Sequence, residues 1–566
     1  MVLTRVDNTD LWGPFESVDD GILISLVGRI ALSEEEWNEA QKCDREGGLA
    51  CKAVFLRYKR HGIEGLEDLN GGFIVILFDP KCKKIHIVTD RCGMNLCFKY
   101  ESNDRLLLSS HTDALALAAN EERNWDYTSL AEFLRTSKVS FPYTYYKKIE
   151  ALDFGCIYTI DLSKKEKTLY SKKKYFTFDY KIDPKVTEWE LAEELGRAVK
   201  KAVEKRTLSF LCSVGVFLSG GLDSRTMLSS IKDKARVKVF CIFDKENNEV
   251  RIARKIAETN GVEFIPLQRH FDYYGDHAEV GVKICGGMGD IRGNHFLGFR
   301  DTFKEHKIDT LISGKNCDWL FKGLAVDRKL CSYIGTGFKI EKMDVFKYQY
   351  YYAQFKFKSK YSDDVEERLF SIYPESLRND QSDVAKLKIA EKRIIPLYYE
   401  PDNAETVISQ RVFPWYLPIV DNDIINVYLK IPPRYKLNNS LWQKMVTIVC
   451  DKKILKIPDS NTGLTVNASN FKRFIHYHVN KRREEKSLKY ANSIATEISW
   501  PNWEYYIHNS KKIETLWFRE NKVAKEVFTM ILGFNPYQKK IQEYKKTEVS
   551  LFLRLLTLKL WLDQRD

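Results

Sequence analysis

The chain has 566 residues, enough for three or four domains or for two large ones. Its 44% hydrophobic and 30% charged content are those of a soluble globular protein, which excludes a fibrous or disordered chain. The net charge of +12 arises from 90 basic residues interspersed with 78 acidic ones, so a lysine-rich surface accounts for it. No stripe stands out that would track a phosphate backbone, and a nucleic-acid partner is not expected.

No apolar run reaches the roughly 18 residues of a membrane span. Gly72 to Phe78 is among the longest, and the first residues have no apolar signal core. The 12 cysteines include no C-x-x-C pair, so neither a zinc site nor a disulfide framework is indicated. The cytoplasm is the expected compartment.

From the N-terminus, Gly21 to Ile30 reads as a strand and Ala50 to Tyr58 as a helix. Gly72–Asp79 and Ile85–Val88 read as strands joined by a turn over Pro80–Lys84. Leu69-Asn70-Gly71-Gly72-Phe73, the strand to Asp79 and Asp90-Arg91-x-Gly93 resemble the second half of a class II glutamine amidotransferase domain. That resemblance implies an Ntn-type β-sandwich with helices over residues 1–163.

The departures from the pattern matter more than the match. In that family a cysteine directly after the initiator Met hydrolyses glutamine, and here position 2 is Val2. The family's Asn-Gly-Glu is Val27-Gly28-Arg29, the aspartate that holds the glutamine amine falls on Cys51, and the segment ahead of Val27 is too short for the substrate-arginine loop. Valine cannot replace a thiolate nucleophile. The expectation is a glutaminase-inactive domain kept as scaffold, with Cys43 and Cys92 the thiols weighed as substitutes.

A helix is expected near Leu130–Leu134 and a strand around Ile157–Ile160. The lysine-rich Ser163 to Lys185 places a linker at 164–188 and a second domain at 189–566. Trp189 to Lys205 has the apolar stripe of an amphipathic helix.

Val214 to Leu218 is an apolar strand that ends at Ser219-Gly220-Gly221 and feeds a helix from Leu222-Asp223-Ser224. Two glycines let the backbone approach an anion, and Ser219, Ser224 and the first helical N–H groups then point at it. Asp223 would repel a bare phosphate, so a bridging cation is expected, Mg²⁺ being the natural one. There is no Walker-type G-x-x-x-x-G-K-[ST]. The loop resembles instead the pyrophosphate-binding loop (PP-loop) of the adenine-nucleotide α-hydrolase group, which splits ATP between the α and β phosphates.

Strands at Val237–Phe243 and Glu263–Leu267, alternating with a helix over Glu249–Asn260, call for a doubly wound parallel sheet. Thr310–Ile312 repeats the pattern of strand, turn and helix start. Its turn, Ser313-Gly314-Lys315-Asn316-Cys317-Asp318, resembles the Ser-Gly-Glu-Gly-x-Asp-Glu segment of the asparagine-synthetase-like amide ligases, to which the amidotransferase-like half also points. The resemblance implies that Asp223 and Asp318 share Mg²⁺ and that Leu218 to Ser224 and Gly314 hold ATP and its pyrophosphate. As a plain helix cap, Asp318 has a second reading.

Lys315 stands at the family's glutamate, where a cation would repel an ammonium nucleophile. A solvated turn lysine is its other reading. The glycine-dense stretch Gly286–His295 makes Asp290, Arg292 and His295 candidates for substrate contact, against the alternative of a flexible loop.

Residues 323–405 match nothing familiar, and the alternating Lys347–Tyr352 reads as helix packing with snorkelling lysines rather than nucleic-acid binding. Phe413–Asp421 resembles the family's Pro-Phe-Leu-Asp segment. Where relatives carry Arg-Pro-Lys-x-Gly-Phe, this chain has Asp459-Ser460-Asn461-Thr462-Gly463-Leu464. The phosphate-stabilising lysine is therefore lost, and Lys452, Lys453 or Lys456 is expected to substitute. Lys481–Glu485 reads as a solvated helix face, His476 and His478 point to different faces, and Ser550–Leu562 reads as a docking helix.

The expected fold is α/β: an Ntn-type domain, then a doubly wound PP-loop ATP pyrophosphatase domain with helical C-terminal additions. The expected function is an ATP- and Mg²⁺-dependent ligase that activates a small-molecule or peptide carboxylate as its acyl-adenylate, for attack by ammonia or a substrate amine, as in β-lactam synthetases and lasso-peptide cyclases. A homodimer is left open. The rivals are a catalytically inert homologue acting as scaffold or regulator, and an RNA-modifying enzyme of the same nucleotide-binding group.

Overall fold

The computed structural model describes residues 8–565 apart from 44, 45, 104, 165–169, 212, 325–327, 331–337, 341–359, 401, 438, 470, 471, 474, 477–493, 495, 497 and 498. Val2, Lys347–Tyr352, His478 and Lys481–Glu485 thus lie outside the described residues.

The N-terminal half is built on a six-stranded antiparallel sheet ordered Phe15–Glu16, Leu23–Ala31, Asn70–Asp79, Lys84–Thr89, Cys156–Asp161, Tyr170–Lys174. Side chains alternate between its faces, as period-2 geometry requires. Phe73, Val75, Leu77 and Val88 enter one core with helices Glu34–Gln41 and Leu49–His61. Ile74, Ile87, Cys156 and Tyr158 enter another with Cys97 and Leu152. A three-stranded antiparallel sheet of Leu106–Ser109, Phe98–Glu101 and Ile149–Ala151 lies beside it. Tyr170–Lys174, within the stretch read as linker, pairs with Cys156–Asp161 as the edge strand, so the sheet continues past residue 163.

The second half carries a five-stranded parallel sheet ordered Glu263–Gln268, Val237–Phe243, Val214–Phe217, Thr310–Ile312, Trp415–Tyr416. Taken in chain order the strands run 3-2-1-4-5, the doubly wound arrangement, whose direction of travel reverses between Val214–Phe217 and Thr310–Ile312. Helix Glu188–Glu204 is opened by a Thr187/Glu190 capping box and buries Leu191, Leu195, Val199 and Val203 against Ser440–Val449. Among the described residues no helix is long and apolar enough to cross a membrane, and the described cysteines are free thiols.

The halves interlock. Asp90 is buried and accepts from the N–H groups of Phe73 (3.2 Å), Cys92 (2.9 Å), Met94 (3.0 Å) and Asn95 (3.1 Å), which fixes the turn of the Asp-Arg-x-Gly motif. That turn docks on the second half: Leu397 N–H donates to Cys92 O and Tyr398 N–H to Gly93 O, each at 2.9 Å. Helix Val549–Leu562, expected to dock on the surface, is buried on every face. Its Arg554 donates to Leu134 O (2.7 Å) and Arg135 O (2.9 Å), and Trp561 packs 4.8 Å from the Tyr145 ring. Its polar residues Arg554, Thr557 and Lys559 are buried with the leucines and find partners inside the molecule.

Candidate active site

The topological reversal places two turns side by side at the carboxyl ends of adjacent strands, where such sheets bind ligands. Val214–Phe217 is buried throughout, and Leu218 N–H makes the last sheet bond, to Phe240 O at 2.9 Å. The chain then turns on two hydroxyls. Ser224 Oγ accepts from Ser219 N–H (3.1 Å) and donates to Ser219 O (2.9 Å), which leaves Ser219 Oγ to donate to Ser224 Oγ (3.0 Å). Gly221 caps the helix Leu222–Ser230 with no side-chain hydrogen bond, so its first N–H groups remain available to an anion.

Two features of this turn carry no local signature in the sequence. The buried Arg225 guanidinium donates to Gly220 O (2.7 Å), Gly221 O (3.2 Å), Ile457 O (2.8 Å) and Pro458 O (2.8 Å). It therefore staples the turn to the segment that holds Asp459–Asn461. Ser460 N–H donates to Gly220 O at 3.1 Å, and Asp459 Oδ1, buried near Gly221, has no hydrogen-bond partner among the described residues.

The second turn comes from Ser313–Asn316. A Cβ on Gly314 would lie 3.0 Å from Asp223 C and Ser224 N, so only glycine lets the turns approach this closely. Asn316 adopts a left-handed conformation (φ 67°) to start helix Cys317–Phe321. Its buried amide has neither oxygen nor nitrogen partnered among the described residues. Unpaired buried polar groups such as these and Asp459 Oδ1 call for a ligand or an ordered water.

The fold brings Asp223 and Asp318 together on Lys322. Lys322 Nζ lies 2.7 Å from Asp223 Oδ1, 2.8 Å from Asp223 Oδ2 and 2.7 Å from Asp318 Oδ1. Burial pushes the Asp223 carboxyl up to about 7, against the pull of Lys322. Burial works to discharge Lys322, but Asp223 and Asp318 outweigh it and hold the ammonium charged, its pKa above the usual lysine value. Two adjacent carboxylates that share one cation are a donor set that fits a divalent ion with phosphate oxygens completing its shell. Sequence reasoning missed Lys322, although the four-residue spacing from Asp318 is a helical acid–base pairing that could have flagged it.

Lys315 is neither a solvated turn residue nor open to a substrate. Its Nζ lies 3.0 Å from Glu400 Oε1, 2.8 Å from Glu405 Oε2 and 3.0 Å from Asp402 O. Burial would strip its proton, and Glu400 and Glu405 keep it charged. Asp290 and Arg292 are given to each other (2.6 Å), with Arg292 also on Ser550 Oγ (3.0 Å), both buried. The glycine-rich stretch around them is tight packing rather than a flexible loop: a Cβ on Gly289 or Gly293 would meet Ala404 at 2.8 and 2.5 Å, one on Gly287 would meet Trp561 at 2.4 Å.

His295 Nδ1 lies 2.8 Å from Tyr274 Oη, with its ring 4.4 Å from Trp500. Burial, then Arg269 and Lys315, hold the imidazole well below its usual pKa, so it is neutral. Lys452, Lys453 and Lys456 are all exposed.

In the N-terminal half, the space around Arg29 is tightly packed. Arg29 donates to Phe413 O at 3.1 Å and lies 5.2 Å over the Trp12 ring. The cavity shared by Gly28, Arg29, Gly72, Asn95, Trp415 and Arg206 has about 20 Å³, room for about one water. Cys51 is fully buried, and burial pushes its thiol up to about 12.

Two protein-family models match the chain. Residues 34–176 match the model of a glutamine amidotransferase domain and residues 194–392 that of asparagine synthase, which carries the match into the stretch 323–405. The chain is 25% identical over 248 residues to a putative glutamine-hydrolysing asparagine synthetase of Methanocaldococcus jannaschii, covering 42% of this chain and 46% of that one. It is 22% identical over 339 residues to an amidase of Penicillium rubens (55% and 48% covered). To a glutamine-hydrolysing asparagine synthetase of Bacillus subtilis it is 21% identical over 263 residues (43% and 34% covered). The chain thus spans about half the length, or less, of these curated relatives.

Proposed function

We propose that this chain, a member of the asparagine synthetase-like family, is an ATP-dependent ligase that forms an amide from a carboxylate activated as its acyl-adenylate. The observation that carries the reading is the convergence of Asp223 and Asp318 on one cation beside the Ser219–Ser224 turn. The N–H groups of that turn and the hydroxyls of Ser219 and Ser224 would hold the phosphates. Asp223 and Asp318 would hold Mg²⁺, whose charge offsets that developing on the departing pyrophosphate. Gly314 keeps the second turn close enough for Asp318 to reach.

Nitrogen is read as coming from ammonia or a substrate amine. The small cavity at Arg29, and the burial that holds the Cys92 thiol well above its usual pKa, support a domain that does not hydrolyse glutamine. A second reading, an inert homologue kept as scaffold, is favoured by one observation: an ammonium stands where the divalent cation would sit.

ATP–pyrophosphate exchange with a panel of amino acids, peptides and uronic acids separates the two. Exchange dependent on one carboxylate class, with no glutamate released from glutamine, is the expected result. No exchange with any carboxylate supports the inert homologue, and steady glutamate release overturns the nitrogen-source reading.

A further inference from the structure

Among the described residues, the other cations around this site are held elsewhere. Lys315 is held by Glu400, Glu405 and Asp402 O. Arg225 is spent on five backbone carbonyls, Arg473 on those of Thr465, Val466 and Ala468, and Lys452, Lys453 and Lys456 are exposed. Asn461 stands 3.6 Å from where a Cβ on Gly221 would be, at the mouth of the turn, and brings an amide rather than a charge.

Lys322 is placed differently. Its backbone is pinned, with Lys322 N–H on Asp318 O at 3.3 Å and Leu324 N–H on the same carbonyl at 3.2 Å. Its side chain is 15% exposed, and its charged end lies on two carboxylates and 5.9 Å over the Trp442 ring. A lysine on a fixed base, with a four-carbon stem and a point charge, can turn from one anion to another nearby.

The charges require such a move. Asp223 and Asp318, with Asp459 contributing to the field at Asp223, would repel a triphosphate. One divalent ion on Asp223 and Asp318 cancels their two charges and leaves the phosphates uncompensated, while the same ion displaces the ammonium from both carboxylates.

We propose that Lys322 is the phosphate-contacting lysine of this chain, parked on Asp223 and Asp318 until a divalent cation takes those carboxylates and frees it to turn onto the nucleotide. This rests on the ligase reading only in its second half. The parking can be tested without nucleotide, and no covalent step is involved.

The experiment has two arms on the full chain: Mn²⁺ binding to nucleotide-free protein by electron paramagnetic resonance, and calorimetric titration with the α,β-methylene analogue of ATP in Mg²⁺. Lys322→Met is expected to bind free Mn²⁺ about tenfold more tightly than wild type and the Mg²⁺–analogue about tenfold or more weakly. Lys322→Arg, which keeps the charge and guards against a folding defect in the first variant, is expected to bind free Mn²⁺ as weakly as wild type. Unchanged Mn²⁺ affinity in Lys322→Met overturns the parking, and unchanged analogue affinity overturns the phosphate contact. If wild type itself binds no analogue, the ligase reading and the phosphate contact fall together, and the Mn²⁺ arm still decides whether Lys322 guards the carboxylates.

Discussion

Gly220 and Ser460 face each other so closely that a Cβ on Gly220 would lie 2.6 Å from Ser460 Cβ. The glycine is therefore demanded by a contact between segments far apart in the chain, as well as by a ligand. Gly220→Ala is expected to push the 457–460 segment off the turn, cost about 1–3 kcal/mol of stability and weaken nucleotide binding. Ser460→Gly in the same protein removes the obstructing carbon and should restore much of both. Calorimetric titration and thermal melting of the single and double variants check this, and a double variant no better than Gly220→Ala contradicts it.

Arg225 holds the same two segments from the other side. Arg225→Leu removes the guanidinium donor from five carbonyls, of which Gly220 O keeps the Ser460 N–H, and is expected to cost several kcal/mol, at about 1–3 kcal/mol for each buried group left unpaired. Arg225→Lys should rescue little, because a single ammonium cannot reach the carbonyls on both segments that the planar fork spans. Urea unfolding of both variants tests this, and a Lys variant as stable as wild type would count against the staple.

Lys315 occupies a position where the family pattern has glutamate, and restoring glutamate should harm the protein. Lys315→Glu would put a third carboxylate beside Glu400, which is fully buried, and Glu405. Breaking a buried pair in this way costs about 3–5 kcal/mol. Chemical denaturation should show Lys315→Glu to be less stable than Lys315→Gln, and the reverse order contradicts the assignment of Lys315 to an internal ion cluster.

His295 predicts a pH dependence. Its folded pKa is depressed below the usual 6.5, so below that pH the unfolded chain takes up a proton that the folded chain refuses. The stabilisation is present above pH 6.5 and is lost as pH falls through it, by at most about 1.4 kcal/mol per pH unit. His295→Gln, which retains a polar group for Tyr274, should show a shallower loss of stability between pH 6.5 and 5. Identical slopes for variant and wild type would refute the claim.

What the sequence discloses here follows the range of the interaction. The Ser219–Ser224 turn is made by residues five apart, and the alternation of strand and helix that brings Asp223 and Asp318 to one crevice is a periodic pattern. Both are legible. Arg225 meets Pro458 across 233 residues, and Lys315 meets Glu405 across 90. Neither pairing leaves a local trace, so the sequence left Lys315 between a cation at the site and a solvated turn lysine. The glycines at 286–293 misled for a related reason: close packing against Ala404 and Trp561 demands the same residue as a flexible loop. Helix 549–562 carries Ser550, Arg554 and Thr557 on one stripe, so the sequence suggests a polar face, and its burial rests on distant partners such as Leu134 O and Arg135 O.

If Asp223 and Asp318 hold a divalent cation together with a nucleotide, ATP binding depends on both. Equilibrium titration with ATP, in Mg²⁺ and in chelator, of wild type, Asp223→Asn and Asp318→Asn measures this. Saturable binding in Mg²⁺ is expected to disappear in chelator and to weaken by about 10²-fold or more in Asp223→Asn. Binding that is indifferent both to Mg²⁺ and to the loss of the Asp223 carboxylate would overturn the shared cation site.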